Sequence, residues 1–175
     1  MSQTDIKTSR VEVNVRWEGP HRFADIPRGG LLDNADVDYG VYQVYGHHAL
    51  YGDDVLLYIG KADKRPFATR LLEEEWAVHH DADRVTVYVG RLVGSESPDI
   101  PMWEDLIGKV ERLLIYVHTP AYNSSGLNTL PPVDLEDVHV LNWGNYRSLL
   151  PEVSGRRWAP GSDKAENMTC FRCGK

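Results

Sequence analysis

The order in which this chain changes its hydrophobic period leaves it few folds. Val11-Glu12-Val13-Asn14-Val15-Arg16-Trp17 alternates apolar and polar residues, the period of a half-buried strand, and Gly19-Pro20 should break it. That predicts a first strand at a sheet edge. After a turn-rich acidic stretch from Pro27 to Asp38, Gly40-Val41-Tyr42-Gln43-Val44-Tyr45-Gly46 restarts the strand pattern. Val55-Leu56-Leu57-Tyr58-Ile59-Gly60 is almost continuously apolar, which predicts a central strand buried on both faces, with residues 46–54 as the hairpin loop. Pro66 opens a helical pattern through Phe67, Leu71, Trp76 and Val78 that should end near His79-His80-Asp81. Residues 84–90 alternate again as a strand. Pro101-Met102-Trp103-Glu104 opens a second helix through Leu106, Ile107, Val110, Leu113 and Leu114, closed by Pro120. A Ser/Gly/Asn/Pro-rich loop follows Asn123, then a strand over 138–143 and a short helical turn over 146–150.

Strand, strand, strand, helix, strand, helix, strand predicts an α/β (α+β) domain: a small mixed or antiparallel central sheet flanked by helices, with an extra N-terminal strand and a C-terminal strand-and-turn extension. At 175 residues one hydrophobic core suffices. The expected organisation is a single domain over 1–160, with its core over about 38–125, the N-terminal strand at 11–17, the extension at 126–160, and a flexible tail over 161–175. With 42% apolar and 26% charged residues, the composition argues against a disordered, collagen-like or coiled-coil chain. No apolar run approaches the roughly 20 residues of a membrane span, and the polar start carries no secretory signal, so the expected location is cytoplasmic.

One ordered set of residues carries chemistry: Gly40-Val41-Tyr42 on one strand, Tyr58-Ile59-Gly60-Lys61 on the next, Arg70 in the following helix, Glu111 in the second helix, and Pro120-Ala121-Tyr122-Asn123 beyond it. Alone, each has a plain structural explanation: tyrosines of a half-buried sheet, solvated helix charges, a turn asparagine. Together and in this order they resemble the GIY-YIG nuclease family, with Val41 replacing the Ile of the first triplet and the second triplet intact. The similarity spans about Asp38 to Asn123, roughly half of the chain.

The resemblance implies a metal-dependent endonuclease that hydrolyses phosphodiester bonds, in DNA in preference to RNA. In that reading Glu111 binds one Mg²⁺ or Mn²⁺, Tyr42 is the base or water-positioner, and Tyr58 is a phosphate or water partner. Physical chemistry fits these roles. A carboxylate can hold a Mg²⁺ that keeps most of its waters, and a guanidinium fork such as Arg70 matches phosphate oxygens. A phenol titrates near 10, so it accepts a proton at neutral pH only where cations lower that value, as Lys61, Arg70 or the metal could. The two tyrosines share a sheet face only in the correct register.

Three departures from the family pattern stand out. Fifteen residues separate Tyr42 from Tyr58, so the 46–54 loop reads as an insertion shaping substrate access. Arg70 lies twelve positions after Tyr58, two more than in compact members. The position four after the arginine, often His or Tyr in the family, is Glu74. Glu74 can be a carboxylate base or second metal ligand, can lock Arg70 in an ion pair and weaken the catalyst, or can belong to the solvated run Glu73-Glu74-Glu75.

The net charge of −7 does not announce a nucleic-acid partner. Locally, Lys61, Lys64, Arg65 and Arg70 against Asp63 leave +3, where a phosphate backbone would meet the site, with Asn123 in support. The tail is also locally basic. His47-His48 and His79-His80 are poor chelators, because neighbouring side chains diverge. Cys170 and Cys173 are half of a zinc site, short of two ligands unless a dimer or His139 completes it. Cutting both strands would be easiest for a homodimer or for two successive encounters. The alternative is a GIY-YIG-fold module that binds nucleic acid or protein without cleavage.

Overall fold

The computed structural model describes residues 10–28, 30–74, 84–95, 99–127 and 133–158. Its strands are β1 (Val11–Arg22), β2 (Gly40–His48), β3 (Gly52–Ala62), β4 (Thr86–Val93), β5 (Val138–Gly144) and β6 (Glu152–Ser154). Its α-helices are α1 (Phe67–Leu72), α2 (Ile100–His118) and α3 (Gly155–Trp158). The strands form one mixed sheet in the order β3-β2-β4-β1-β5-β6, antiparallel throughout except for the parallel β1–β5 pair.

The two faces of the sheet are covered by different helices. Asp99 caps α2 by accepting the Met102 N–H at 2.9 Å, Pro101 sits in the first turn, and Thr119 ends the helix in the left-handed conformation at φ 45°. Between those stops, Ile107, Val110, Leu113 and Leu114 recur at helical spacing and pack on Val41, Ile59, Val15 and Val140. On the opposite face, Phe67, Ala68 and Leu71 of α1 pack on Tyr42, Val44, Val87 and Val89. No helix among the described residues is long and apolar enough to cross a membrane.

Four expectations need correction. β1 is an interior strand, paired with β4 on one side and β5 on the other. Gly19-Pro20 does not end it, because a register shift between Glu18 and His21 takes up the proline, which has no N–H to give, and pairing resumes at His21–Val87. β3 is the edge strand and not a central one. Its apolar run is buried nonetheless, with Leu57 and Ile59 inaccessible to solvent, because residues 120–123 run along its free edge. The Ala121 and Tyr122 N–H groups donate to the carbonyls of Leu56 and Leu57 at 3.2 and 2.8 Å.

The expected loop over 46–54 is strand almost throughout: β2 and β3 pair down to His48–Gly52, so the additional residues lengthen a hairpin. The 146–150 segment is a turn, closed by Leu149 N–H to Tyr146 C=O at 3.1 Å, and it leads into β6 and α3, which periodicity did not foretell. The helix opened by Pro66 ends at Leu72 with Glu73 as its cap. Its expected continuation to His79-His80 lies outside the described residues, as do Cys170, Cys173 and the tail over 161–175. His139 is buried, with Nε2 at 2.5 Å from Glu152 Oε1.

Candidate active site

The hairpin register decides whether the two tyrosines can act together. Tyr42 pairs with Gly60, and Tyr58 lies two residues before Gly60 on β3, so both side chains emerge on the α1 face as diagonal neighbours. Their ring centroids are 6.1 Å apart. Leu57 has no partner at a bulge between the Val44–Tyr58 and Tyr45–Leu56 pairs, just beyond Tyr58.

The triplet glycines have steric reasons to be glycine. A Cβ on Gly60 would lie 2.5 Å from the Cζ and Oη of Tyr42 and 2.7 Å from Cε1 of Tyr58. The ring of Tyr42 therefore lies over the space that a side chain at 60 would fill. At Gly40, φ is +142° and a Cβ would meet the carbonyl oxygen of Gly90 at 2.1 Å.

Just past the end of α1, Glu74 reaches back over this pair. Tyr42 Oη donates to Glu74 Oε1 at 2.8 Å, Tyr58 Oη more weakly at 3.5 Å, and Arg70 Nη2 lies 2.5 Å from the same oxygen. The Glu74 side chain is only 13% exposed and Tyr42 is fully buried, so these contacts form away from bulk water. The i,i+4 pairing of Arg70 and Glu74 expected for a continuing helix is made, although the helix itself has ended. Glu73, one residue earlier, faces out and pairs with Arg65.

The electrostatics differ from expectation. Burial pushes the Tyr42 phenol well above its usual value, Glu74 and Tyr58 push it further, and the pull of Arg70 does not compensate. Tyr58 is pushed up to about 12, first by burial and then by Glu74 and Glu111. The surrounding cations do not lower the phenols toward neutrality, as sequence reasoning required of a tyrosine base. Both phenols keep their protons, and in each hydrogen bond Glu74 is the acceptor.

Glu111 comes to the site from the middle of α2. Burial pushes its carboxyl up to about 7; Lys61 and Arg70 pull down while Asp63 and Glu74 push up. Among the described residues no hydrogen bond or ion pair closes this carboxylate. Nor do the described residues include a group of three His, Cys, Asp or Glu that could cage a metal. One half-buried oxygen donor of this kind fits a hydrated Mg²⁺, which dehydrates reluctantly and binds through one or two carboxylates plus substrate phosphate.

The cationic patch is less free than its sequence. Lys61 Nζ lies 2.8 Å from Asp63 Oδ2, Arg65 pairs with Glu73, and Arg70 with Glu74. Lys64 is exposed at the surface. Asn123 does not reach toward solvent: its amide is buried, accepting from Ile59 N–H at 3.0 Å and donating to Ile59 C=O at 2.9 Å. The expected nucleic-acid contact at Asn123 is therefore corrected to a scaffold role, closing the β3 edge beside Tyr58.

In the sequence Asp63 counts only as one negative charge against the neighbouring cations, yet it holds Lys61 and adds to the field on Glu111. Its place two residues after Lys61 in Lys61-Ala62-Asp63 was the available signal. The two neighbouring histidines diverge: His47 Nδ1 binds Asp53 at 2.7 Å and His48 stacks on Tyr51. Comparison with known proteins found no matching family model, no matching curated protein and no matching solved structure.

Proposed function

We propose that this chain is a metal-dependent endonuclease of the GIY-YIG type, acting on phosphodiester bonds in DNA. The observation that carries the reading is the convergence of Tyr42, Tyr58 and Arg70, from two strands and a helix, on one buried oxygen of Glu74. Stability alone asks for one acceptor for the buried Tyr42 hydroxyl; a second phenol and a guanidinium on the same oxygen are what support the catalytic reading.

In the proposed mechanism Glu74 is the proton acceptor and Tyr42 positions it. Glu74, whose side chain keeps 13% exposure, takes the proton from the attacking water, while the buried Tyr42 Oη donates to its Oε1 and keeps its own proton. Arg70 uses Nη2 on Glu74, and a guanidinium carries five N–H donors, so it can also offer N–H to a non-bridging phosphoryl oxygen. Tyr58 Oη provides a second neutral donor beside it. Glu111 would hold the Mg²⁺ or Mn²⁺, which supplies charge neutralisation at the phosphoryl oxygens when bound. Lys61, steadied by Asp63, adds positive charge on the side of Glu111.

The test is nicking of supercoiled plasmid by purified protein in Mg²⁺ and in EDTA, beside Glu111→Ala. The reading expects open-circular product only with metal, and its loss in the variant. Equal nicking by Glu111→Ala, or none by the unaltered protein, overturns it.

One observation favours a second reading. The 2.5 Å Arg70–Glu74 pair holds the guanidinium at the centre of the site. If phosphate cannot draw Arg70 away, the chain is a binding module that keeps the fold and lacks cleavage. That reading expects metal-independent DNA binding that falls steeply with salt, with cleavage appearing in Glu74→His.

A further inference from the structure

The β2–β3 hairpin ends in side chains that neither the core nor the site uses. His48 stacks on Tyr51 with ring centroids 4.6 Å apart and planes 20° from parallel, and Tyr122 lies against the same His48 ring at 5.2 Å. His48 is fixed in place: its Nδ1 accepts the N–H groups of Leu50 and Tyr51, both at 3.2 Å. Around this anchored ring the surface is apolar and open, with Leu50 78% and Tyr51 65% exposed.

Charge narrows what could lie here. No Lys or Arg occurs from Gly40 through Gly60, and the two acidic residues of the hairpin are paired, Asp53 with His47 at 2.7 Å and Asp54 with Arg147 at 2.6 Å. A ligand of this surface is recognised by its flat faces and not by its phosphates. The surface also leads back to the site: the Tyr122 N–H binds Leu57 C=O, next to Tyr58 on the β3 edge. From Tyr58 to Gly52 the strand covers roughly 20 Å, about six nucleotide steps of a DNA strand.

We propose that His48, Tyr51 and Tyr122, with Leu50 at the apex, form a stacking platform for unpaired bases of DNA near the cleaved bond. This rests on the nuclease reading, and it deepens that reading to DNA carrying a gap, flap or bulge. An exposed aromatic surface binds an unstacked base through its π-face, and an apolar apex is suited to wedge beside a base step already open.

The test is binding in EDTA, followed by fluorescence anisotropy, to an intact duplex and to the same duplex with a short single-stranded gap containing 2-aminopurine. The unaltered protein should favour the gapped DNA and quench the 2-aminopurine. Tyr51→Ala should weaken gapped-DNA binding about tenfold, the loss of one stacked base, and relieve the quench. Tyr51→Phe, which keeps the ring, should retain both. The slope of log affinity against log salt should not change, because no phosphate contact is removed. Equal losses on gapped and intact DNA, no loss, a changed salt slope, or no binding by the unaltered protein each overturn the platform. So does conversion of a self-associating protein to monomer by Tyr51→Ala with DNA binding intact, which would assign this surface to a second copy. Plasmid nicking scored in parallel separates the two readings: nicking with unchanged gap affinity defeats the platform alone, and a ring-dependent gap preference without nicking defeats cleavage alone.

Discussion

Glu74 takes three contacts on one oxygen, and its chemistry depends on which of them dominates. The two phenols donate neutral hydrogen bonds, while Arg70 contributes a charge-assisted contact. Removing the carboxyl group leaves the Tyr42 hydroxyl, which is fully buried, without its acceptor. Glu74→Ala should therefore lower stability by about 1–3 kcal/mol in urea unfolding. Tyr42→Phe removes the donor that positions the Glu74 carboxylate, and should cut single-turnover cleavage by about 10²-fold at nearly unchanged stability. Gly60→Ala adds only a methyl group, but it must displace Tyr42 or Tyr58, so it should cost about 1–3 kcal/mol and most of the cleavage rate. At this scale the sequence was informative about identity and poor about partners. The order of Tyr42, Tyr58, Arg70 and Glu111 was legible, and so was the departure at Glu74. The direction of the tyrosine shifts was not, because it depends on burial and on a carboxylate placed by tertiary structure.

β3 is the element on which the site depends, and it sits at an edge where backbone groups lack a neighbouring strand. The 120–123 segment supplies that missing partner, and Asn123 completes it with two hydrogen bonds to Ile59. Asn123→Ala should cost about 2–4 kcal/mol and speed amide exchange at Ile59 above that of the β2 and β4 amides. An apolar run cannot distinguish a central strand from an edge strand covered by a loop, which is why β3 was misplaced by periodicity alone. β1 was misplaced for a related reason, since a proline inside a strand normally marks its end and here is taken up by a register shift. The C-terminal end of α2 carries a different signature. Burial pushes His118 down from 6.5 to about 4, and the Leu150 N–H donates to its Nε2 at 3.4 Å. The folded protein keeps this imidazole neutral, so as pH falls from about 6.5 to 4 the unfolded chain gains a proton that the folded chain does not, and stability drops. Below about 4 the loss is complete. His118→Gln should flatten that part of the stability–pH curve, as read from urea midpoints.

Across the whole molecule, the sheet carries the site at one edge and an extension at the other. β1, β5 and β6 widen the β3-β2-β4 hairpin-and-strand unit, with the Trp17 indole N–H donating to buried Asn142 at 2.8 Å across the parallel pair. The fold class was legible as a mixed sheet with helices on it, because the order of periods survives folding. The widening beyond β5 was not, because β6 and α3 are too short to carry a period. The net charge of −7 also takes a local form: carboxylates at 63, 73 and 74 each hold one of the cations that would face a phosphate backbone. Non-specific affinity for intact duplex should accordingly be weak. Whether the Glu74-centred cluster performs the proposed hydrolysis is read from nicking of supercoiled plasmid in Mg²⁺ by the unaltered protein, Glu74→Gln and Glu74→His. The unaltered protein should nick, with a fall of about 10²-fold or more in Glu74→Gln, which keeps a hydrogen-bond acceptor but loses the base. An unaltered protein that does not nick, beside a Glu74→His variant that does, would contradict hydrolysis by this cluster and identify Glu74 as the lock on Arg70.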